Sequence, residues 1–450
     1  MRDVKGKKIT VIGAASSGIA AARLLKHKGA SVFVSEFASE EKKNEAKVLL
    51  QNEHIACEFG GHTERATDCD WAVVSPGVPS DIPVLQTLHA RNIPVYSEVE
   101  IASWWIPAPV VAITGSNGKT TTTTLIGELF KHAGRTTVVA GNIGTPLSDC
   151  TETLPKDGVA VVEVSSFQAE GFESFHPQVG IMLNLSPDHL DRYSGVEAYY
   201  AAKKNMIKNQ TASDVLVVNQ DDATLMQLIG DSKAQRWAFS LQSIPENGAY
   251  VENDTLMVKI NGKVEPVIAT GDIGIIGRHN LYNAMAAILA AKALDVKTSV
   301  MAETLRSFRG VEHRLEFVAE KSGVRYYNDS KATNVDSTFV ALDSFKKEKV
   351  ILIAGGKHKG SPYTPLKTLV EARVKSLVLI GQAADIIAGD LGTVTRVQRA
   401  ASMQEAVEIS KQTATPGDVV LLSPACASYD MFKNYEDRGR QFKMAVEGLK

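Results

Sequence analysis

ITGSNGKTTTTT, residues 113–124, follows the apolar run Val110-Val111-Ala112-Ile113 and precedes Leu125-Ile126-Gly127-Glu128-Leu129-Phe130. The first run has the length of one buried strand, and the second carries apolar residues at helical spacing. A strand that enters a glycine turn opening a helix is the context of a phosphate-binding loop. Gly115 and Gly118 let backbone N–H groups turn inward, and the helix N-terminus adds partial positive charge. Lys119 then reaches the outer phosphates and the Thr120 hydroxyl ligates Mg²⁺. Ile113 stands where the usual template has its first glycine. Five consecutive threonines are poor helix formers and would suit a strand, but the strand–loop–helix context outweighs them. The stretch predicts a nucleoside-triphosphate site.

Upstream, Lys8–Gly13 reads as a strand, Ile19–His27 as a helix and Ser31–Ser35 as a second strand ending at Glu36. Between strand and helix, Gly13-Ala14-Ala15-Ser16-Ser17-Gly18 is a dinucleotide fingerprint with its second glycine replaced by alanine. That form fits another nucleotide diphosphate as well as it fits NAD. The strand Trp71–Val74 leads into Ser75-Pro76-Gly77-Val78-Pro79, and Trp104–Pro109 marks a boundary because prolines interrupt regular structure.

Downstream, Thr136–Ala140 leads into Gly141-Asn142-Ile143-Gly144, and VAVVEV at 159–164 buries one carboxylate, Glu163. A lone Glu in an apolar run is costly unless a cation or metal pairs with it, and a preceding phosphate loop favours Mg²⁺. His189, flanked by Asp188 and Asp191 after the strand Ile181–Leu185, is a ligand candidate. Tyr250–Ile260 has the look of a hairpin arm, and an alanine-rich helix opens near Gly277 with Asn280 as a potential cap. From Val311 onward, strands alternate with helical stretches as in a second doubly wound sheet.

Composition sets the outer bounds. The 450 residues suit two to four domains. Lys plus Arg (49) nearly balances Asp plus Glu (51), so no strong field points to nucleic acid or a membrane surface. The four cysteines form no C-x-x-C pair and read as reduced thiols of a cytoplasmic protein. No apolar run approaches the roughly 18 residues of a spanning helix.

TGSNGKTT, EVSSFQ, PDHLDRY, GRHNLYNA, His313-Arg314 and NDSKATN together resemble the Mur ligases, ATP-dependent amide-forming enzymes of peptidoglycan precursor synthesis. The resemblance runs along the whole chain. It implies three α/β domains: a Rossmann-like UDP-sugar domain at 1–106, a P-loop ATP domain at 107–310 and a Rossmann-like amino-acid domain at 311–450. SPACASYDMFKNYEDRG at 423–439, with NDSKATN, is similar to the members that add D-glutamate to UDP-N-acetylmuramoyl-L-alanine. ATP phosphorylates the substrate carboxylate in that family, and the amine of the amino acid attacks the acyl phosphate.

The resemblance also implies residue roles. Gly115, Ser116, Asn117, Gly118, Lys119, Thr120 and Thr121 cradle ATP, with Asn283, Arg314 and Asp329 on its adenine, ribose and phosphate side. Thr120, Glu163, His189 and a carbamylated Lys203 hold two Mg²⁺ ions. Ser17, Glu36, Ser75, Gly77 and Asn142 contact the UDP-sugar. Lys331, Thr333, Ser428 and Tyr435 receive D-glutamate together with Lys359, although Lys357 is left as an alternative. Small-molecule substrates and a monomeric enzyme complete the expectation. A later ligase of the same pathway, a folylpolyglutamate synthetase and an NAD(P)-sensing regulator are the rivals.

Overall fold

The computed structural model describes residues 2–188 and 192–449. It contains three sheets, distributed over two compact units. The first unit comprises 1–272 and 282–305; the second comprises 273–281 and 306–450. All three sheets carry helices in the connections between their parallel strands, so the α/β class expected from the sequence holds.

The N-terminal sheet has five parallel strands: β1 (Lys8–Ile12), β2 (Ser31–Glu36), β3 (Ala56–Phe59), β4 (Trp71–Val74) and β5 (Val95–Ser97). Their order, β3-β2-β1-β4-β5, reverses direction between β1 and β4. Ligands bind at such a switch point, outside the carboxyl ends of the strands. The turns at Gly13 and Ser75 follow those two strands.

The central sheet has nine strands. Its parallel core is β6 (Val110–Thr114), β7 (Thr137–Gly141), β8 (Val159–Glu163), β9 (Val179–Met182), β10 (Val215–Asn219) and β11 (Gln235–Ser240). It continues through β12 (Gly248–Glu252), β13 (Thr255–Ile260) and β14 (Lys263–Ala269), the last two antiparallel. The stretch 250–260 is therefore two arms and a turn rather than one arm. In the order β10-β9-β6-β8-β7, β6 lies between β8 and β9, with Ile113 level with Glu163 and Thr114 level with Met182. The phosphate loop consequently emerges between the end of β8 and the segment after β9.

The threonine run is helical, in Lys119–His132. Each threonine costs roughly 0.5 kcal/mol against alanine. Leu125, Ile126, Leu129 and Phe130 are fully buried, each stabilising the fold by about 1.5–3 kcal/mol, so packing decides the outcome. Thr121, Thr122 and Thr123 are buried, and the Thr124 hydroxyl donates to the Thr120 carbonyl.

The C-terminal sheet has six strands: β15 (Glu316–Lys321), β16 (Val324–Asn328), β17 (Val350–Gly355), β18 (Val374–Ile380), β19 (Arg396–Arg399) and β20 (Val419–Leu422). Their order is β15-β16-β20-β17-β18-β19, with only the β15–β16 pair antiparallel. Three adjacent strands, β16, β20 and β17, thus deliver the loops starting at Asp329, Ser423 and Gly356.

Two local expectations are corrected. The first helix spans Ser16–His27, so Ser16 and Ser17 are helical rather than part of the turn. The alanine-rich helix begins at Arg278, which makes Asn280 its third residue and not a cap. The Asn280 side-chain amide donates backwards to the Ile276 carbonyl (2.7 Å), which occupies it.

Candidate active site

The phosphate loop owes its shape to two glycines. Gly118 has φ +86° and Gly115 has φ +152°, both in the region that disfavours side chains. A Cβ on Gly118 would also collide with Asn283 Oδ1. Asn283 in turn accepts a hydrogen bond from Thr122 Oγ1 (3.2 Å), so this predicted nucleotide residue stands at the mouth of the loop.

The segment after β9 braces the same loop. Asn184 accepts from Ser116 N through its carbonyl (3.0 Å) and from Asn117 N through Oδ1 (2.8 Å), and its amide returns a bond to the Asn117 carbonyl (3.0 Å). Ser116 Oγ exchanges 2.9 Å bonds with the Ser186 backbone. Asn184 was not foreseen from the sequence.

Two lysines converge on one oxygen. Lys119 Nζ donates to the Gly115 carbonyl (2.8 Å) and to that of Ser116 (3.1 Å). Lys203 Nζ, on the helix Val196–Lys204, donates to the same Gly115 carbonyl (2.9 Å). Lys203 is 1% exposed. Burial, and then the neighbouring Lys119 charge, push its ammonium down to about 7, while Asp188 and Glu163 pull the other way.

Glu163 closes the group from β8. Its Oε1 accepts from Asn142 Nδ2 (2.9 Å), and its backbone carbonyl accepts from Asn142 N (2.9 Å). Its Oε2 is buried and has no hydrogen-bond partner among the described residues. A buried carboxylate oxygen left open beside a phosphate loop fits a hard divalent cation such as Mg²⁺. His189, the remaining metal-ligand candidate, lies outside the described residues.

Asn142 also faces a second space. Ser17, Glu36, Ser75, Gly77 and Asn142, all predicted to contact the UDP-sugar, line one cavity of about 500 Å³. At its floor Ser75 Oγ donates to the Gly13 carbonyl (3.1 Å), and Gly18 leaves no room for a Cβ against that same carbonyl. Glu36 accepts from the N–H groups of Ala14 (2.7 Å) and Ala38 (2.9 Å). Burial raises its pKa, and those bonds with the Lys43 and His62 charges more than offset this, so the carboxylate stays ionised.

Gln168 lines the cavity too and was missed. Its Oε1 accepts from Ser165 N and Oγ at 3.0 Å each, while its buried Nε2 has no partner among the described residues. Arg192, also missed, sits over the Phe167 ring (3.8 Å) and donates to the carbonyls of Pro76 and Val78. Both lie in motifs singled out from the sequence, EVSSFQ and PDHLDRY.

In the second unit, one buried guanidinium joins the two loops that carry Lys331, Thr333 and Ser428. Arg438, 0% exposed, donates to Ser330 Oγ (2.9 Å), the Ser330 carbonyl (2.8 Å) and the Cys426 carbonyl (3.1 Å). It thereby ties the loop of Lys331 and Thr333 to the loop of Ser428. Ser330 Oγ donates to the Tyr435 carbonyl (2.8 Å), and Lys331 Nζ lies 5.8 Å from the Tyr435 ring centre. Lys357 is paired through its backbone with Ala427, and burial pushes the Cys426 thiol up against the smaller opposing influence of Tyr363, Arg438 and Lys359.

Asp329 is buried, with its oxygens accepting from Leu315 N (3.1 Å) and Ser423 Oγ (2.8 Å). Burial lifts its carboxyl to about 7 against the opposing influence of Ser423, Arg314 and Arg438. Arg314 is thus close enough to Asp329 for its charge to act on that carboxylate.

Family models match along the chain: the MurD N-terminal domain at 8–84, the Mur ligase middle domain at 113–291 and the Mur ligase glutamate ligase domain at 313–426. UDP-N-acetylmuramoylalanine–D-glutamate ligase of Chloroherpeton thalassium is 44% identical over 99% of both chains. Among solved structures, a pseudomurein peptide ligase type C from Methanothermus fervidus aligns with 99% of this chain and 100% of its own. Its TM-score is 0.62 at 21% identity. MurF ligase of Thermotoga maritima, solved in complex with ADP, aligns at TM-score 0.60 and 15% identity over 99% of this chain and 96% of its own. Among the described residues, no helix is long and apolar enough to cross a membrane.

Proposed function

Because the chain belongs to the Mur ligase family, we propose that it joins D-glutamate to UDP-N-acetylmuramoyl-L-alanine at the expense of ATP. The observation that carries this reading is the 44% identity, end to end, with a relative bearing that activity in its name. The gathering of all five predicted UDP-sugar residues around one cavity supports it from an independent direction.

The chemistry follows from what each group can do. A carboxylate oxygen is a poor leaving group, so the alanyl carboxylate first attacks the γ-phosphorus of ATP and ADP departs. The uncharged amine of D-glutamate then adds to the acyl phosphate carbon, and the tetrahedral intermediate expels inorganic phosphate. Transfer between anions needs positive charge at the phosphoryl oxygens, which Lys119 and the N-terminus of its helix supply.

Thr120, Glu163, His189 and Lys203 would hold Mg²⁺, which shields the phosphate charge. We read Lys203 as a carbamate. Its burial and the Lys119 charge favour the neutral amine that reacts with CO₂, and the product is an anion of the sign a metal site needs. Asn142 serves both ends of the reaction centre by orienting Glu163 from the wall of the sugar cavity. Arg314, Asp329 and Asn283 complete the nucleotide site, while Lys331, Thr333, Ser428, Tyr435 and Lys359 receive the two carboxylates of D-glutamate.

We divide the chain at 1–106, 107–310 and 311–450 for UDP-sugar, ATP and amino acid, and assign it to the cytoplasm as a monomer. The test is ADP formation from UDP-N-acetylmuramoyl-L-alanine with D-Glu, L-Glu, L-Lys, diaminopimelate and D-Ala-D-Ala. D-Glu is expected to be the best acceptor by far; a better rate with any other overturns the assignment and leaves the ligase chemistry intact.

A further inference from the structure

The GGKHK loop at 355–359 and the loop 423–428 interlock by backbone bonds: Gly355 N to the Pro424 carbonyl (2.9 Å), Lys357 N to the Ala427 carbonyl (2.8 Å) and Ala427 N to the Lys357 carbonyl (3.2 Å). Beneath them lies Tyr363, only 2% exposed in the core of the C-terminal sheet. Its hydroxyl meets His358 Nδ1 of one loop at 3.0 Å and Cys426 Sγ of the other at 2.9 Å. Its own backbone N–H is anchored on Asp390 (2.8 Å).

We infer that the Tyr363 hydroxyl is a pin that keeps Lys359 in register with Ser428, so that Tyr363 and His358 are positioning residues for the amino-acid substrate. The inference rests on the reading of these loops as the D-glutamate site. A pinned pair of loops matters there because the acceptor presents two carboxylates a fixed distance apart. A cation and a hydroxyl borne by separate loops recognise that distance only if the loops cannot slide.

The chemistry of the three groups suits a permanent link. Burial keeps the Tyr363 phenol and the Cys426 thiol protonated at neutral pH. The thiol can then donate to the phenol oxygen, and the phenol to a neutral imidazole nitrogen. In the other tautomer the imidazole Nδ1–H donates instead and the phenol turns to the sulfur. Either arrangement satisfies the chain, so the link does not depend on which tautomer the imidazole adopts.

Tyr363→Phe keeps the ring and its packing and deletes only the hydroxyl. It is expected to raise KM for D-glutamate about tenfold, since two modest hydrogen bonds are lost. KM for ATP should stay close to that of the unaltered protein, and the melting temperature should fall by no more than a few degrees. His358→Ala, which removes one of the two bonds, should give a smaller rise, and the double variant should be no worse than Tyr363→Phe alone, the signature of one shared link. Hydrogen exchange should quicken at 355–360 and 424–429.

Equal rises in both KM values, additive effects in the double variant, or unchanged exchange in the two loops would overturn the inference. If the unaltered protein favours another acceptor, the functional reading fails. The same comparison with that acceptor still judges the pin.

Discussion

Lys119 and Lys203 sharing the Gly115 carbonyl is the feature of this site that one residue can test. Two ammonium groups cannot crowd one oxygen in a buried place without cost, and the more buried one, Lys203, gives way. With its pKa near 7, about half of Lys203 is the neutral amine at pH 7, against roughly 1 in 3,000 for an ordinary lysine. The unfolded chain therefore binds more protons between pH 7 and about 10.5, and this residue's contribution to stability improves as pH rises through that window. Carbamate formation should rise with pH through 7. A ¹³C resonance in the carbamate region, growing with added ¹³C-bicarbonate and lost in Lys203→Ala, is the expected result. Its absence at pH 8 with excess bicarbonate would rule the carbamate out. Lys119→Ala, in contrast, should leave folding intact and slow turnover by a factor on the order of 10² or more, because it removes a charge from the transferring phosphoryl group.

Among elements, the turn from β6 into Lys119–His132 is the most exacting. Gly118→Ala would put a side chain at φ +86° and drive its Cβ into Asn283. Left-handed strain alone costs a non-glycine residue about 1–2 kcal/mol. The variant should bind ATP at least tenfold more weakly, measured by titration calorimetry. Ordinary affinity would mean that the loop tolerates a side chain there. This turn was legible in the sequence because everything that makes it, glycines, lysine and flanking apolar runs, lies within about twenty consecutive residues. The same holds for the Gly13 and Ser75 turns, whose residues the sheet order then brings to one cavity. The roles of Asn184 and Arg438 were not legible for the opposite reason. Asn184 acts on Asn117 and Arg438 on Ser330, 67 and 108 residues away in the chain, and the local sequence, even inside the 423–439 motif, does not reveal such a distant partner. Ser16 and Ser17 escaped the helix because periodicity sees only apolar residues. The first three residues of that helix, Ser16-Ser17-Gly18, include none.

At the scale of the molecule, one carboxylate fastens the N-terminal sheet to the central one within the first unit. Glu100, fully buried on the helix Glu98–Ser103, accepts from the backbone N–H groups of Glu173, Ser174 and Phe175 at 2.8–3.1 Å. It also takes Ser174 Oγ (2.6 Å) and Trp104 Nε1 (3.0 Å). The helix follows β5 of the first sheet, whereas 173–175 leads into β9 of the second. Glu100→Ala would take the acceptor from five donors at once, the Phe175 N–H among them buried, at a cost on the order of 3 kcal/mol or more. Glu100→Gln, which keeps one acceptor oxygen, should cost less. The four tryptophans make the measurement selective: Trp71, Trp104, Trp105 and Trp237 all belong to the first unit. Tryptophan fluorescence during urea unfolding therefore reports that unit alone. Its midpoint should fall by about 1 M or more in Glu100→Ala, given slopes of roughly 1–3 kcal/mol per molar urea. A probe in the second unit, a label at an exposed position such as Tyr429→Cys, should show its midpoint unchanged. If the tryptophan transition does not move, Glu100 is not the fastening between the two sheets, and the joint must be sought in the apolar contacts that surround it.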